Sequence, residues 1–128
     1  MKFLKLLKNM NRKIKFRGKI LNTGLWSYGD LWQDNIRRKA YIGYEVAPET
    51  IGQFTGLIDC KGKEIYECDI IESRGFRHII AYDAKQASFS AKNINGSRDD
   101  GSSITQQWID ECEKVVIGNV YDNPELIK

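Results

Sequence analysis

At 128 residues the chain has the length of one ordinary domain, and 41% hydrophobic content with 14 aromatic residues is enough to cover a single core. Twenty Lys and Arg against seventeen Asp and Glu leave a net charge of +3, which argues against a disordered or strongly polybasic chain. Eleven glycines and two prolines suit a turn-rich β protein.

The charge is unevenly placed. Residues 1–39 hold 11 basic and 2 acidic side chains, a net of +9, whereas residues 40–128 carry a net of −6. Two contacts would satisfy such a chain: a nucleic acid on the basic part, or a neighbouring copy that sets its acidic part against the basic part of the first. Cys60, Cys68 and Cys112 are odd in number, and no two stand at the spacing of a metal knuckle or redox pair, so they are read as reduced thiols.

In chain order, Phe3, Leu6, Leu7 and Met10 fall at helical spacing among Lys2, Lys5 and Lys8, so residues 1–11 are read as a basic amphipathic extension ahead of one domain over 12–128. The short apolar stretch, broken by Lys5, is not a secretory signal, and no run approaches the ~18 apolar residues of a membrane span; a cytoplasmic location is expected. Ile14, Phe16 and Ile20 begin a hairpin that turns at Asn22-Thr23-Gly24 and returns over 25–32, with Gly29-Asp30 as an interruption. From Ile36 to Val46 the alternation predicts one half-buried strand, Ile36, Ala40, Ile42, Tyr44 and Val46 on one face and Arg37, Lys39, Tyr41, Gly43 and Glu45 on the other.

Ala47-Pro48-Glu49-Thr50 predicts one helical turn, 53–58 a strand, and Asp59-Cys60-Lys61-Gly62 a turn. Glu64 to Glu72 resumes extended structure with a swing at Cys68-Asp69; 78–82 and 87–91 follow as strands on either side of a polar reversal. The stretch NINGSRDDGSS, 93–103, reads as loop. Ser103 with Gln106 resembles a capping box before a short helix over 105–113, and Val115 to Tyr121 is the last strand, followed by Asn123-Pro124 as a helix start. Many short strands without long crossover helices predict a mainly β, β-rich α+β fold, a small partly open barrel or roll with short helical turns. Trp26, Phe54, Ile65, Ile70, Ile117 and Tyr121 are expected inside.

Three blocks carry a family resemblance: Ile14-Lys15-Phe16-Arg17-Gly18-Lys19 with Trp26-Ser27-Tyr28-Gly29; PETIGQFTGLIDCKGKEIYECDII, from Pro48 to Ile71; and VIGNVYDNPELI, from Val116 to Ile127. In this order they resemble the YopX family of phage and prophage proteins. Cys68 stands where the resemblance leads one to expect glycine, and Met10-Asn11-Arg12-Lys13-Ile14 is similar to the family's opening, which makes Met10 a second candidate start. The resemblance implies a small, phage-encoded, mostly β fold and no established reaction, substrate or cofactor.

No catalytic set emerges from the residues themselves. His78 is the only histidine and lies beside Ile79 and Ile80, as a strand-packing residue would. Gly56 to Gly62-Lys63 has five residues between its glycines where a phosphate loop needs four, and Glu64 replaces the magnesium-binding hydroxyl. Glu49 with Asp59-Cys60-Lys61 imitates a carboxylate and carboxylate-x-Lys nuclease pattern, but Asp-x-Lys-Gly is also ordinary turn chemistry. Asp99-Asp100 and Asp110-Glu111 read as solvated charge. The constellation that stands out is cationic and aromatic: Lys13, Lys15, Arg17 and Lys19 at alternate positions, Arg37, Arg38 and Lys39 as a second cluster, and Trp26, Tyr28 and Trp32 between them. The expectation is a non-enzymatic, self-associating binding or assembly module without cofactor, membrane or small-molecule substrate. The alternatives are a nucleic-acid binder using the basic N-terminal face and, third, a metal-dependent nuclease.

Overall fold

The computed structural model describes residues 2, 4, 12–94 and 103–128, and places eleven strands among them in three antiparallel sheets. The amphipathic reading of 1–11 falls, apart from the helical Lys2 and Leu4, outside the described residues, as does most of the polar stretch with Asp99 and Asp100. β1 (Phe16–Lys19) and β2 (Trp26–Gly29) form the expected hairpin, with Gly24 N donating to Ile20 O at 2.8 Å across the turn. β6 (Gly52–Ile58) and β7 (Glu64–Tyr66) complete a first sheet in the order β2-β1-β6-β7. β8 (Asp69–Ser73), β9 (Phe76–Asp83), β10 (Ser88–Asn93) and β11 (Val115–Asn119) make the second, ordered β10-β9-β8-β11. β3 (Trp32–Asp34), β4 (Lys39–Ile42) and β5 (Tyr44–Val46) make the third. The fold is mainly β as expected, but the sheets stay open and none closes into a barrel.

Two apolar clusters hold the layers together. Ile65 of the first sheet, Ile71 and Ile80 of the second and Ile109 of the short helix α1 (Gln106–Asp110) are fully buried together, with Leu57, Ile104, Trp108 and Val116 packed around them. Ala40, Ile42 and Val46 form the other cluster with Phe16, Leu31 and Ile51. Of the expected core residues, Phe54, Ile65 and Ile70 are buried, whereas Trp26, Ile117 and Tyr121 are only half-buried.

The single strand expected over 36–46 is two strands. The chain reverses at Gly43, whose φ of +72° suits glycine, and pairs Ile42 with Tyr44 and Ala40 with Val46. Residues paired across a reversal centred on one residue share a face, so the even-numbered apolar alternation runs through the turn unbroken and looks like one strand. Ile36 is instead 95% exposed in the β3–β4 turn, and Tyr44 is 64% exposed.

The helix start also differs. Thr105, not Ser103, caps α1, its hydroxyl accepting from Trp108 N at 3.1 Å; Ser103 bridges to Ser90 in β10. The helix ends at Asp110 and gives way to a 3-10 turn in which Cys112 takes φ +59°, and buried Lys114 closes this end with Nζ donating to Trp108 O and Glu111 O, each at 2.9 Å. Val120 and Tyr121 lie beyond the last strand, and Asn123 makes no side-chain cap to the 3-10 turn Pro124–Ile127.

Candidate functional site

The cations of the N-terminal part divide into two groups. Lys15, Arg17 and Lys19 share one face of β1 and the residue before it, and each meets an acid of its own chain. Lys15 Nζ lies 2.6 Å from Glu64 Oε2. Lys19 pairs with Asp122. Between them Arg17, only 4% exposed, donates from Nη2 to Asp69 Oδ1 at 2.9 Å and to Glu67 O at 3.2 Å.

The Arg17 guanidinium is also covered by rings, 4.5 Å from the centroid of Trp26 and 5.0 Å from that of Tyr66. Ring faces attract a cation and exclude water, which compensates a group whose Nε has no hydrogen-bond partner. Asp69 is held from the other side, its Oδ2 accepting from Tyr66 N at 2.7 Å. Burial pushes the Asp69 carboxyl up, and the Arg17 charge and the Tyr66 amide offset only part of that rise. Burial and the Glu64 charge likewise raise the Tyr66 hydroxyl.

The third block reaches this junction through a self-bonded turn. Asn119 Oδ1 accepts from the amides of Tyr121 and Asp122 at 3.0 and 2.9 Å, and Asn123 Oδ1 accepts from Asn119 N at 3.2 Å. A Cβ on Gly118 would run into that Asn123 side chain, so glycine is needed for the close approach. The turn delivers Asp122 to Trp26, whose Nε1 donates to Oδ2 at 2.8 Å, and Tyr121 to Glu49 O at 2.6 Å. Hydrogen bonds from Lys19 and Trp26 outweigh burial and bring the Asp122 carboxyl down to about 2; burial pushes the Tyr121 hydroxyl up to about 12. Cys68, 3.8 Å from the Tyr121 hydroxyl, keeps φ +70° without being glycine. All three sequence blocks therefore meet at one interlocked junction between the first two sheets. Alternation groups Lys13, Lys15, Arg17 and Lys19 as one cationic face but gives no sign of Glu64, Asp69 and Asp122, the partners of the last three, which lie 49, 52 and 103 residues away and carry no local signal.

The second group stays in solvent. Across the β3–β4 hairpin Trp32 pairs with Tyr41, their ring centroids 5.0 Å apart at an interplanar angle of 37°, and Trp32 is 61% exposed. The turn is shaped by Asp34, whose Oδ1 accepts from the amides of Ile36 and Arg37, each at 3.1 Å. Arg37 approaches Asp34 at 3.9 Å with its side chain 78% exposed, while Arg38 and Lys39 are exposed and meet no carboxylate among the described residues. Lys13 is exposed too. Tyr28, 56% exposed, leans edge-on against Tyr66, and Trp26 belongs to the junction rather than to this face. Tyr41, which the sequence reading placed only on a solvent face, is the ring that completes the pair with Trp32.

The remaining candidates resolve into structural roles. Asp59 Oδ1 accepts from the Lys61 and Lys63 amides and Oδ2 from Val116 N, between 2.8 and 2.9 Å, so this carboxylate closes its own turn and ties it to β11. Burial alone would raise its carboxyl, but the three amides and Lys63 hold it below its ordinary range. His78 packs edge-on against Trp108 at 5.3 Å. Among the described residues no group of three His, Cys, Asp or Glu is placed to hold a metal, and no helix is long and apolar enough to cross a membrane.

No curated protein matches the chain. Among solved structures it is similar to the crystal structure of protein EF1440 from Enterococcus faecalis, with a TM-score of 0.60 at 22% identity over 92% of this chain and 100% of that one, a likeness of fold. The family model described as YopX protein matches residues 8–128, a span that takes in the junction and the hairpin alike, and the chain belongs to the YopX family.

Proposed function

We propose that this protein acts by binding rather than by catalysis, and that it self-associates. The observation that carries this reading is an apolar patch left in solvent where the β1–β2 turn meets β5: Leu21, Leu25 and Tyr44 are 53%, 66% and 64% exposed. Backbone bonds from Ile20 N to Leu25 O and from Leu21 N to Glu45 O, at 2.9 and 3.1 Å, hold these segments side by side. Clustered exposed apolar side chains of this kind favour a protein interface. A second copy also offers exposed acids in Asp110, Glu111 and Glu113, complementary to the free cations of the hairpin. Because Glu64, Asp69 and Asp122 are already used within the chain, apolar contact supplies the affinity and charge supplies the orientation. The chain's resemblance to a family of phage and prophage proteins supports placing such an assembly in the cytoplasm of a bacterial host.

Light scattering on the full chain tests the proposal at tens of micromolar, roughly where interfaces of −6 to −7 kcal/mol populate. A mass that is a small multiple of 14.8 kDa is expected, and Leu25→Glu should return it toward one chain without moving the melting curve. A monomer across this range overturns the proposal.

A further inference from the structure

We infer that the outer face of the β3–β4 hairpin binds single-stranded nucleic acid, with Trp32 and Tyr41 as the stacking platform and Arg37, Arg38 and Lys39 as phosphate contacts. The inference goes beyond self-association: its ring platform lies apart from the Leu21, Leu25 and Tyr44 patch, while the hairpin cations are common to both. The antiparallel register sets Trp32 opposite Tyr41, and Gln33 opposite the buried Ala40, so the two rings lie on the face turned away from the Ala40, Ile42 and Val46 cluster. Their tilt leaves the Trp32 ring open, an arrangement that a base can extend by stacking.

Charge supports the same occupant. The cation-and-ring assembly at Arg17 is closed by rings and by Asp69, whereas here Arg38 and Lys39 form no ion pair with an acid among the described residues. Of the acids near the hairpin, Asp34 has its Oδ1 committed to two backbone amides, Glu45 stands opposite Tyr41, and exposed Asp30 lies two residues before Trp32. The excess of positive charge is local to the turn, where Arg37, Arg38 and Lys39 stand consecutively and Asp34 is the one acid of residues 34–39. A tryptophan ring stacks on the open face of an unpaired base, which a duplex interior does not offer, so a single strand of any sequence fits better than a duplex.

Fluorescence anisotropy of labelled DNA and RNA single strands of about 12 nucleotides, within the usual site sizes, tests this on the full chain. Single strands should bind more tightly than the duplex of the same sequence, with quenching of tryptophan emission. Trp32→Ala should weaken binding roughly 10-fold. Arg38→Ser with Lys39→Ser should lower the slope of log affinity against log salt by roughly 1.4, the release expected from two phosphates of a single strand. Lys92→Ser, at an exposed cation of β10, should change neither. An unchanged affinity in Trp32→Ala, equal binding to inorganic polyphosphate, or preference for the duplex overturns the inference. Oligomers that Leu25→Glu dissociates but that bind no oligonucleotide would sink this inference and leave self-association standing; a monomer that binds single strands would do the reverse. All these positions are exposed, and unchanged melting curves will show that each variant folds.

Discussion

Arg17 and Arg38 are twenty-one positions apart in a basic, aromatic-rich stretch, yet they do opposite work. Arg17 is 4% exposed, paired with Asp69 and covered by two rings; Arg38 stands in a solvent-exposed turn with no acid paired to it among the described residues. Local composition does not separate them. What does is distant sequence: strand β1 runs beside β6, and β8 brings Asp69 to Arg17, while Arg38 of the hairpin forms no ion pair with an acid among the described residues. A positive stretch is thus part scaffold and part free surface, and only the free part can attract a partner.

That contrast can be broken most severely at Asp69. Asp69→Ala leaves a buried guanidinium unpaired and should cost about 3–5 kcal/mol in urea unfolding, whereas a solvent-accessible, half-buried pair such as Lys15 with Glu64 contributes about 1 kcal/mol or less. Next comes the apolar support beside the junction: Ile70 has 0% exposure, and Ile70→Ala should cost about 2–5 kcal/mol by the same measurement.

A smaller effect follows from the acids. The folded carboxyls of Asp122 and Asp59 lie below their ordinary value of 3.8. The unfolded chain therefore takes up protons first on acidification, and the stability these groups add, full above about pH 5, is lost as pH falls through 4 toward 2. Asp69, raised by burial, has the opposite sign. Asp122→Asn should flatten the acid limb of a plot of urea midpoint against pH, by an amount solvent keeps to roughly 1 kcal/mol or less because the side chain is 38% exposed. The smallest effect belongs to the hairpin: replacing Arg37, Arg38 and Lys39 by serine should move stability by less than about 0.5 kcal/mol. A loss comparable to that of Asp69→Ala would show that the hairpin cations are structural as well, and would end the contrast.

The sequence disclosed the β-rich class, the β1–β2 hairpin and the swing at Cys68-Asp69 because turn residues and alternation act locally. It misled where one pattern serves two geometries. Ala40, Ile42, Tyr44 and Val46 keep their parity whether the chain runs straight or doubles back at Gly43, and nothing in that alternation distinguishes the two. Ser103 and Thr105 are both plausible caps, and the choice is made by the Ser90 bridge, which occupies Ser103. The split of the cationic residues was illegible for a different reason: burial of Arg17 depends on partners brought together only by the fold.

The reach of those partners has a consequence in time. Arg17 waits 52 residues for Asp69, and Lys19 waits 103 for Asp122. During synthesis at about 5–20 residues per second, the β1–β2 hairpin can close within microseconds of emerging, but its guanidinium has no counter-charge for several seconds. Closing such long loops carries most of its entropic cost before any contact repays it, so assembly of the junction is expected to be among the slower steps of folding. Until Asp69 emerges the nascent chain carries an unpaired Arg17, and until the turn at Asn119 is made it leaves Lys19 and the Trp26 indole without Asp122, a transient cationic and aromatic surface that the finished protein ties down.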